Sequence, residues 1–351
     1  GSRAEAVILQ GIAGDPTCAL AHAYAAAYYL CQESAQGRQQ AVPHLQGAEQ
    51  FRAQASEREQ LYLRAIAAWA KGDVERAIVY HEAFAQKFPR DLISVQQGQY
   101  HYFYRGDKEG LLRIAATVLP ANRENHYLYG MMAFGLEQCH RLREAEMWGR
   151  QATQMNRRDP WAHHAVAHVM ETQARVEEGI IWMENLADTW EDCNSMLYTH
   201  NWWHVALYYL KKQDVPKVLT LYDTQVWGRA RQGSPKDQVG AISLLLRLEL
   251  RGVEVGEARW QALGESLIPR IHEHALPFQD LHYIYALSRA GKLDWVKEML
   301  LSMESHAQTV KPSLQRLWID VAIPAAKGMV AHARGDWHKA IAYLKPILSQ
   351  L

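Results

Sequence analysis

A turn that recurs along the chain constrains the fold most. Lys71-Gly72-Asp73, Arg105-Gly106-Asp107 and Arg334-Gly335-Asp336 each separate two stretches of helical periodicity. Glycine enters the left-handed conformation that ends a helix, and the aspartate after it caps the next one. Pairs starting near residues 56, 91, 125, 160 and 194 are spaced by about 34 or 35 residues. No stretch alternates apolar and polar residues with period two over any length. The chain therefore predicts antiparallel helix pairs stacked in one register.

The first regular pair opens on Ser56-Glu-Arg-Glu59, which has the form of a capping box. Ala77 follows Gly72 by five residues, a small residue where paired helices cross, and Pro89 closes the unit. That is the layout of a tetratricopeptide repeat. Further pairs are predicted from Asp91, Asn125, Pro160 and Asn194, with Ala145 and Gly179 at the crossing position. The expected fold class is all-α, a right-handed superhelical solenoid of antiparallel helix pairs. Its expected divisions are an N-terminal helical cap over 1–55, regular repeats over 56–227, a flexible loop over 228–236, and degenerate and closing repeats over 237–351. Within the cap, helices are expected over Pro16–Glu33 and Pro43–Gln54, with Gln36–Gln40 as a loop.

Composition narrows the function. Lys plus Arg equals Asp plus Glu, 38 each, so no bulk charge draws the chain to nucleic acid or an anionic membrane. No stretch approaches the roughly 20 apolar residues of a membrane span. The four cysteines form no Cys-x-x-Cys pair and read as reduced thiols of a cytoplasmic protein. Gly1-Ser2 reads as the scar of a cleaved expression tag.

In this repeat the first helix of each pair lines the concave surface. The inward positions are His164, His168 and Thr172 in the Pro160 pair, and Gly130, Phe134 and Gln138, beside Glu137, in the Asn125 pair. They are Trp203, Leu207 and Lys211, after His200, in the Asn194 pair, and Gln96, Tyr100 and Tyr104 in the Asp91 pair. His163 is expected to face outward. The wall is aromatic and rich in histidine.

Two readings of its histidines stay open. They bridge neighbouring helices by hydrogen bonds, or His164, His168, His200 and His204 hold a transition-metal ion. His-x-x-x-His places two imidazoles on one helix face, and an adjacent helix can complete four ligands. Ala165 stands where a metalloprotease helix would carry its glutamate. Cys139 lies at a helix C-terminus, which disfavours its thiolate. Glu137, Glu171 and Asp192 are the candidate acids and bases. No Gly-rich phosphate loop, Ser-centred elbow or dinucleotide fingerprint occurs.

The runs His126–Glu137, Asp159–Glu171, Gly179–Met183 and His200–His204, with Pro89–Asp91 and Tyr104–Asp107, resemble the tetratricopeptide-repeat protein 38 family. The resemblance covers about Asp15 to Asp223 and implies an all-helical repeat protein without assigned catalytic residues.

The leading expectation is a binding module. A peptide or small ligand would lie among Tyr100, Phe134, Glu137, His164, His168, Glu171, His200 and Trp203, with a protein or peptide as the macromolecular partner. No cofactor is needed for that role. The alternatives are a metal-dependent hydrolase or oxygenase that uses the same histidines, and an assembly scaffold or homodimer.

Overall fold

A computed structural model describes residues 3–350 and is all-helical, with no strand among the described residues. The chain divides into two compact units, Gly1–Gln32 with Gln36–Asp214, and Glu33–Ala35 with Val215–Leu351.

The first unit begins with α1 (Ala4–Gly14), α2 (Ala19–Leu30) and α3 (Ala35–Gln50). The segment Gln36–Gln40, expected as a loop, is the first part of α3. Its small residues Gly37 and Ala41 are buried, which outweighs the low helix propensity of a polar run. Helix pairs follow: α4 (Glu57–Ala70) with α5 (Val74–Lys87), α6 (Leu92–Tyr104) with α7 (Lys108–Thr117), α8 (His126–Gln138) with α9 (Leu142–Met155), and α10 (Pro160–Thr172) with α11 (Val176–Glu184). The unit ends on α12 (Ser195–Lys211).

Local chemistry sets these boundaries. The Ser56–Glu59 capping box forms in both directions at the start of α4. At its end Gly72 takes a φ of 69°, and the Asp73 N–H reaches back to the Ala68 carbonyl at 2.9 Å. The Asp73 carboxylate then accepts the Arg76 N–H and starts α5. The same reach-back closes α8, α10 and α12, where His140, Ala174 and Gln213 occupy the left-handed position without being glycine.

Successive repeats are tied by contacts about one repeat apart in sequence. Asn122 donates to the Pro89 carbonyl at 2.6 Å, and Gln97 donates to the Tyr62 hydroxyl at 2.7 Å. Close helix packing also depends on a missing side chain. A Cβ at Gly179 would lie 2.2 Å from Cζ of Tyr208, the residue whose hydroxyl ties α12 to the Ala167 carbonyl of α10.

The second unit holds α13 (Val215–Leu221), α14 (Pro235–Glu249), α15 (Glu257–Leu267), α16 (Pro277–Arg289), α17 (Leu293–Thr309), α18 (Pro312–Arg316), α19 (Ile323–Ala333) and α20 (Trp337–Leu344). Pro235 and Lys236, assigned by sequence to the connecting loop, form the first turn of α14, with Ser234 as its cap. The loop before them is tied down: Arg231 N–H meets the Asp237 carboxylate, and the Gly233 carbonyl accepts from Arg270. The core of this unit combines aliphatic side chains, with Leu244, Leu248, Leu263, Ile284, Leu287, Met299 and Met303 fully buried, and the buried rings of Tyr222, Trp260, Tyr283 and Tyr285. No helix of the described residues is long and apolar enough to cross a membrane.

Candidate metal centre

The site stands on the facing first helices α10 and α12. Asp159 caps α10, accepting the Ala162 N–H, and Pro160 takes the first position, where no backbone N–H is needed. Asp159 is itself buried against His126, 2.8 Å from its Nδ1. Burial pushes the Asp159 carboxyl up, and the His126 contact opposes that. Asn194 caps α12 by accepting the Leu197 N–H. Ala162, Ala165, Val166 and Val169 are fully buried, so α10 packs closely and its histidines have one direction left.

The four histidines converge. One ring nitrogen from each of His164, His168, His200 and His204 lies within 4.8 Å of the other three. Nε2 of His164 is 2.9 Å from Nε2 of His200 and 3.0 Å from Nε2 of His168. An imidazole nitrogen offers either one proton or one lone pair, directed in the ring plane. His164 Nε2 therefore cannot make a well-aligned hydrogen bond to both neighbours. Its Nδ1 is buried and meets no polar partner among the described residues. Burial holds the His164 imidazole well below the usual histidine range, and His168, His200 and His204 add to this. The ring is neutral at pH 7, with a lone pair to share.

Two carboxylates stand behind the rings. Glu137 Oε1 lies 3.5 Å from Nδ1 of His168, and Glu171 Oε2 lies 3.4 Å from Nδ1 of His204. Each carboxylate faces an Nδ1 and leaves Nε2 turned toward the cluster, the placement of the groups that support metal-ligating histidines. Gln138 donates to Glu137 at 2.7 Å, and Lys211 lies 3.7 Å from Glu171.

Aromatic rings border the cluster. Trp203 stacks on His200 with centroids 5.5 Å apart, Trp161 stands edge-on to His164 at 5.8 Å, and Phe134 lies 6.4 Å from His164. Seven of the eight residues expected to hold a ligand thus gather here: Phe134, Glu137, His164, His168, Glu171, His200 and Trp203. Tyr100 lies farther along the wall, against Trp69 and Tyr104. Phe103 touches both Tyr104 and Phe134, so ring contacts run from Trp69 to the cluster. Sequence reasoning missed Phe103 and Trp161; Trp161 is three residues before His164 and shares its face.

His163 corrects the sequence expectation. It is fully buried, not outward, and its Nδ1 accepts from Trp190 Nε1 at 3.1 Å. Burial lowers its pKa to about 4. It is a packing histidine. Cys139, half-buried, has its thiol pushed up by burial and then by the charge of Glu109, which disfavours its thiolate.

No protein-family model matches the chain. Among solved structures it is similar to YrrB, described as a TPR protein with an unusual peptide-binding site. That match has 14% identity over 54% of this chain and 89% of the other, at a TM-score of 0.35. It is also similar to a human IFIT1 dimer with m7Gppp-AAAA, at 15% identity over 99% and 81% and a TM-score of 0.49. A third match is the C-terminal part of a TPR repeat-containing protein from Cytophaga hutchinsonii, at 9% identity over 80% and 98% and a TM-score of 0.40. The tetratricopeptide-like helical-repeat fold rests on the helix pairs themselves. These likenesses say nothing of ligand or activity.

Proposed function

We propose that the first unit is a helical-repeat binding module centred on a transition-metal ion held by His164, His168, His200 and His204. The observation that carries this reading is that Nε2 of the buried His164 faces the Nε2 atoms of both His168 and His200 at 3.0 and 2.9 Å and cannot make a well-aligned hydrogen bond to both. A cation accepts all their lone pairs at once. Metal–imidazole bonds of about 2.0–2.1 Å would set ligand nitrogens roughly 3.4 Å apart in a tetrahedral site; here two separations are 2.9 and 3.0 Å and all four nitrogens lie within 4.8 Å, so small ring shifts would be needed to seat an ion. All-imidazole donors suit zinc, copper or nickel, and do not suit magnesium or calcium, which take oxygen. Glu137 and Glu171, engaged on Nδ1 atoms, serve as orienting groups and not as bases.

His168, His200 and Trp203 are only half-buried, so the site opens on that side to an incoming group. Trp161, Phe134 and Trp203 offer flat apolar faces beside the ion, which suits a small organic molecule or a peptide side chain. These residues lie within the motifs that resemble the tetratricopeptide-repeat protein 38 family, and we include membership of that family in the proposal.

The test is the metal content of protein purified without a metal column or chelator. We expect close to one ion per chain, lost in His164→Ala and in His168→Ala while helicity is kept. Absence of metal, together with no thermal shift on adding zinc, copper or nickel, would overturn the proposal.

A further inference from the structure

The second unit gathers histidines of another kind. The segment between α15 and α16 carries His272 and His274, and both face Ser302 on α17. His274 is buried and has a φ of 44°. Left-handed backbone at a residue other than glycine is strained, and it persists where the surroundings enforce it. Here the side chain is fixed at both ring nitrogens. Nδ1 lies 2.7 Å from Oδ2 of Asp280, and Nε2 lies 2.8 Å from Oγ of Ser302. Asp280 is buried in the first turn of α16. Ser302 is half-buried, and on its open side the exposed His272 places Nδ1 2.8 Å from the same Oγ and Nε2 3.0 Å from Glu298. His306 and Trp318 pack their rings 5.0 and 5.8 Å from His274. The remaining charges are Glu273 and Arg270, paired with each other at 2.7 Å.

An ionised Asp280 only accepts, so it fixes the proton on Nδ1 of His274. The lone pair on Nε2 then faces the Ser302 hydroxyl, whose single proton is directed to it when His272 presents an Nδ1 proton to the same Oγ. A hydroxyl, a base and a carboxylate that orients the base stand in hydrogen-bonded order, the arrangement that activates a serine.

We propose that Ser302 is an activated nucleophile, with His274 as its base and Asp280 as the positioning residue, and that it accepts acyl or phosphonyl groups from activated esters. In acyl transfer the Oγ attacks the carbonyl carbon and forms the new C–O bond, while its proton passes to Nε2 of His274. The ester C–O bond then breaks, and the alcohol leaves with that proton. With a fluorophosphonate the new bond is P–O, the P–F bond breaks and fluoride leaves. Ser302 lies inside α17, where its own N–H belongs to the helix. The product is therefore a stoichiometric acyl-protein, without rapid turnover.

The experiment is labelling of the whole chain with a fluorophosphonate, read by intact mass and peptide mapping. We expect one adduct per chain, on Ser302, and none in Ser302→Ala. The labelling rate should rise with pH through a single deprotonation to a plateau, as a histidine base requires. Folded Asp280→Asn should label at least tenfold more slowly. Absent or scattered labelling, undiminished labelling of Ser302→Ala, or a rate that follows hydroxide without a plateau would each overturn the proposal. These readouts decide it even where Asp280→Asn fails to fold. A merely structural hydrogen-bond chain would give none of the expected results.

Discussion

His164 and His274 are both buried imidazoles flanked by further histidines, but they face different atoms. Around His164 the neighbouring ring nitrogens belong to other imidazoles, and the carboxylates stand one layer out. Around His274 each ring nitrogen meets an oxygen directly: Asp280 on one side, Ser302 on the other. Nitrogens that converge on one another suit a shared cation, as proposed for the first cluster. Nitrogens placed between an acid and a hydroxyl pass a proton. The same residue type thus supports two chemistries, and the identity of the facing atom decides which.

Removing the central ring from each cluster should separate them most sharply. His164→Ala is expected to abolish metal binding by the chain, while His274→Ala leaves it intact; competition with a colorimetric zinc chelator reads both. Loss of metal in the His274 variant, with its fold preserved, would break the distinction.

The outer layer should matter next. Glu137→Gln and Glu171→Gln are expected to weaken metal binding by about 10- to 100-fold, the usual effect of removing a supporting carboxylate. Glu298→Gln, which removes the carboxylate beside His272, should leave metal affinity unchanged.

Packing gives a third contrast. Gly179→Ala places a methyl into the Tyr208 ring and should destabilise the first unit by about 1–3 kcal/mol in denaturant titrations. Ala174→Gly relieves a left-handed alanine in the turn just before α11, for a gain of about 0.5 kcal/mol once the added chain entropy is subtracted.

A fourth contrast is with pH. Burial lowers the pKa of His81 to about 3 and those of His101 and His163 to about 4. In the unfolded chain these groups bind protons near 6.5, so there the unfolded state takes up more protons than the folded one. Stability therefore falls as pH drops from about 6.5 toward 4, by up to about 1.4 kcal/mol per histidine per pH unit. His81→Gln should flatten that slope when urea unfolding is compared at pH 7 and pH 5.

The fold was legible in the sequence because backbone rules set it locally. The Gly-Asp turns mark helix ends whatever surrounds them, and the 34-residue spacing puts them in register. The histidine cluster was legible in part. His164 with His168 and His200 with His204 are four apart, and a one-repeat offset brings the two pairs together. What failed was direction. A helix turns about 100° per residue, so His163, one residue from His164, points away from the cluster and meets Trp190 instead. The Ser302 array gave no signal, because its three members come from a loop and two helices of a degenerate region whose spacing follows no motif. The N-terminal segment misled for another reason: burial of Gly37 and Ala41 overrides the propensity of the polar run around them.

The central claim is that the imidazoles of α10 and α12 share one cation. X-ray absorption at the metal edge of the zinc-loaded protein tests it most directly. The account predicts a first shell of imidazole nitrogens at about 2.0–2.1 Å, diminished in His200→Ala. A shell dominated by oxygen or sulfur, or one unchanged in His200→Ala, would contradict it.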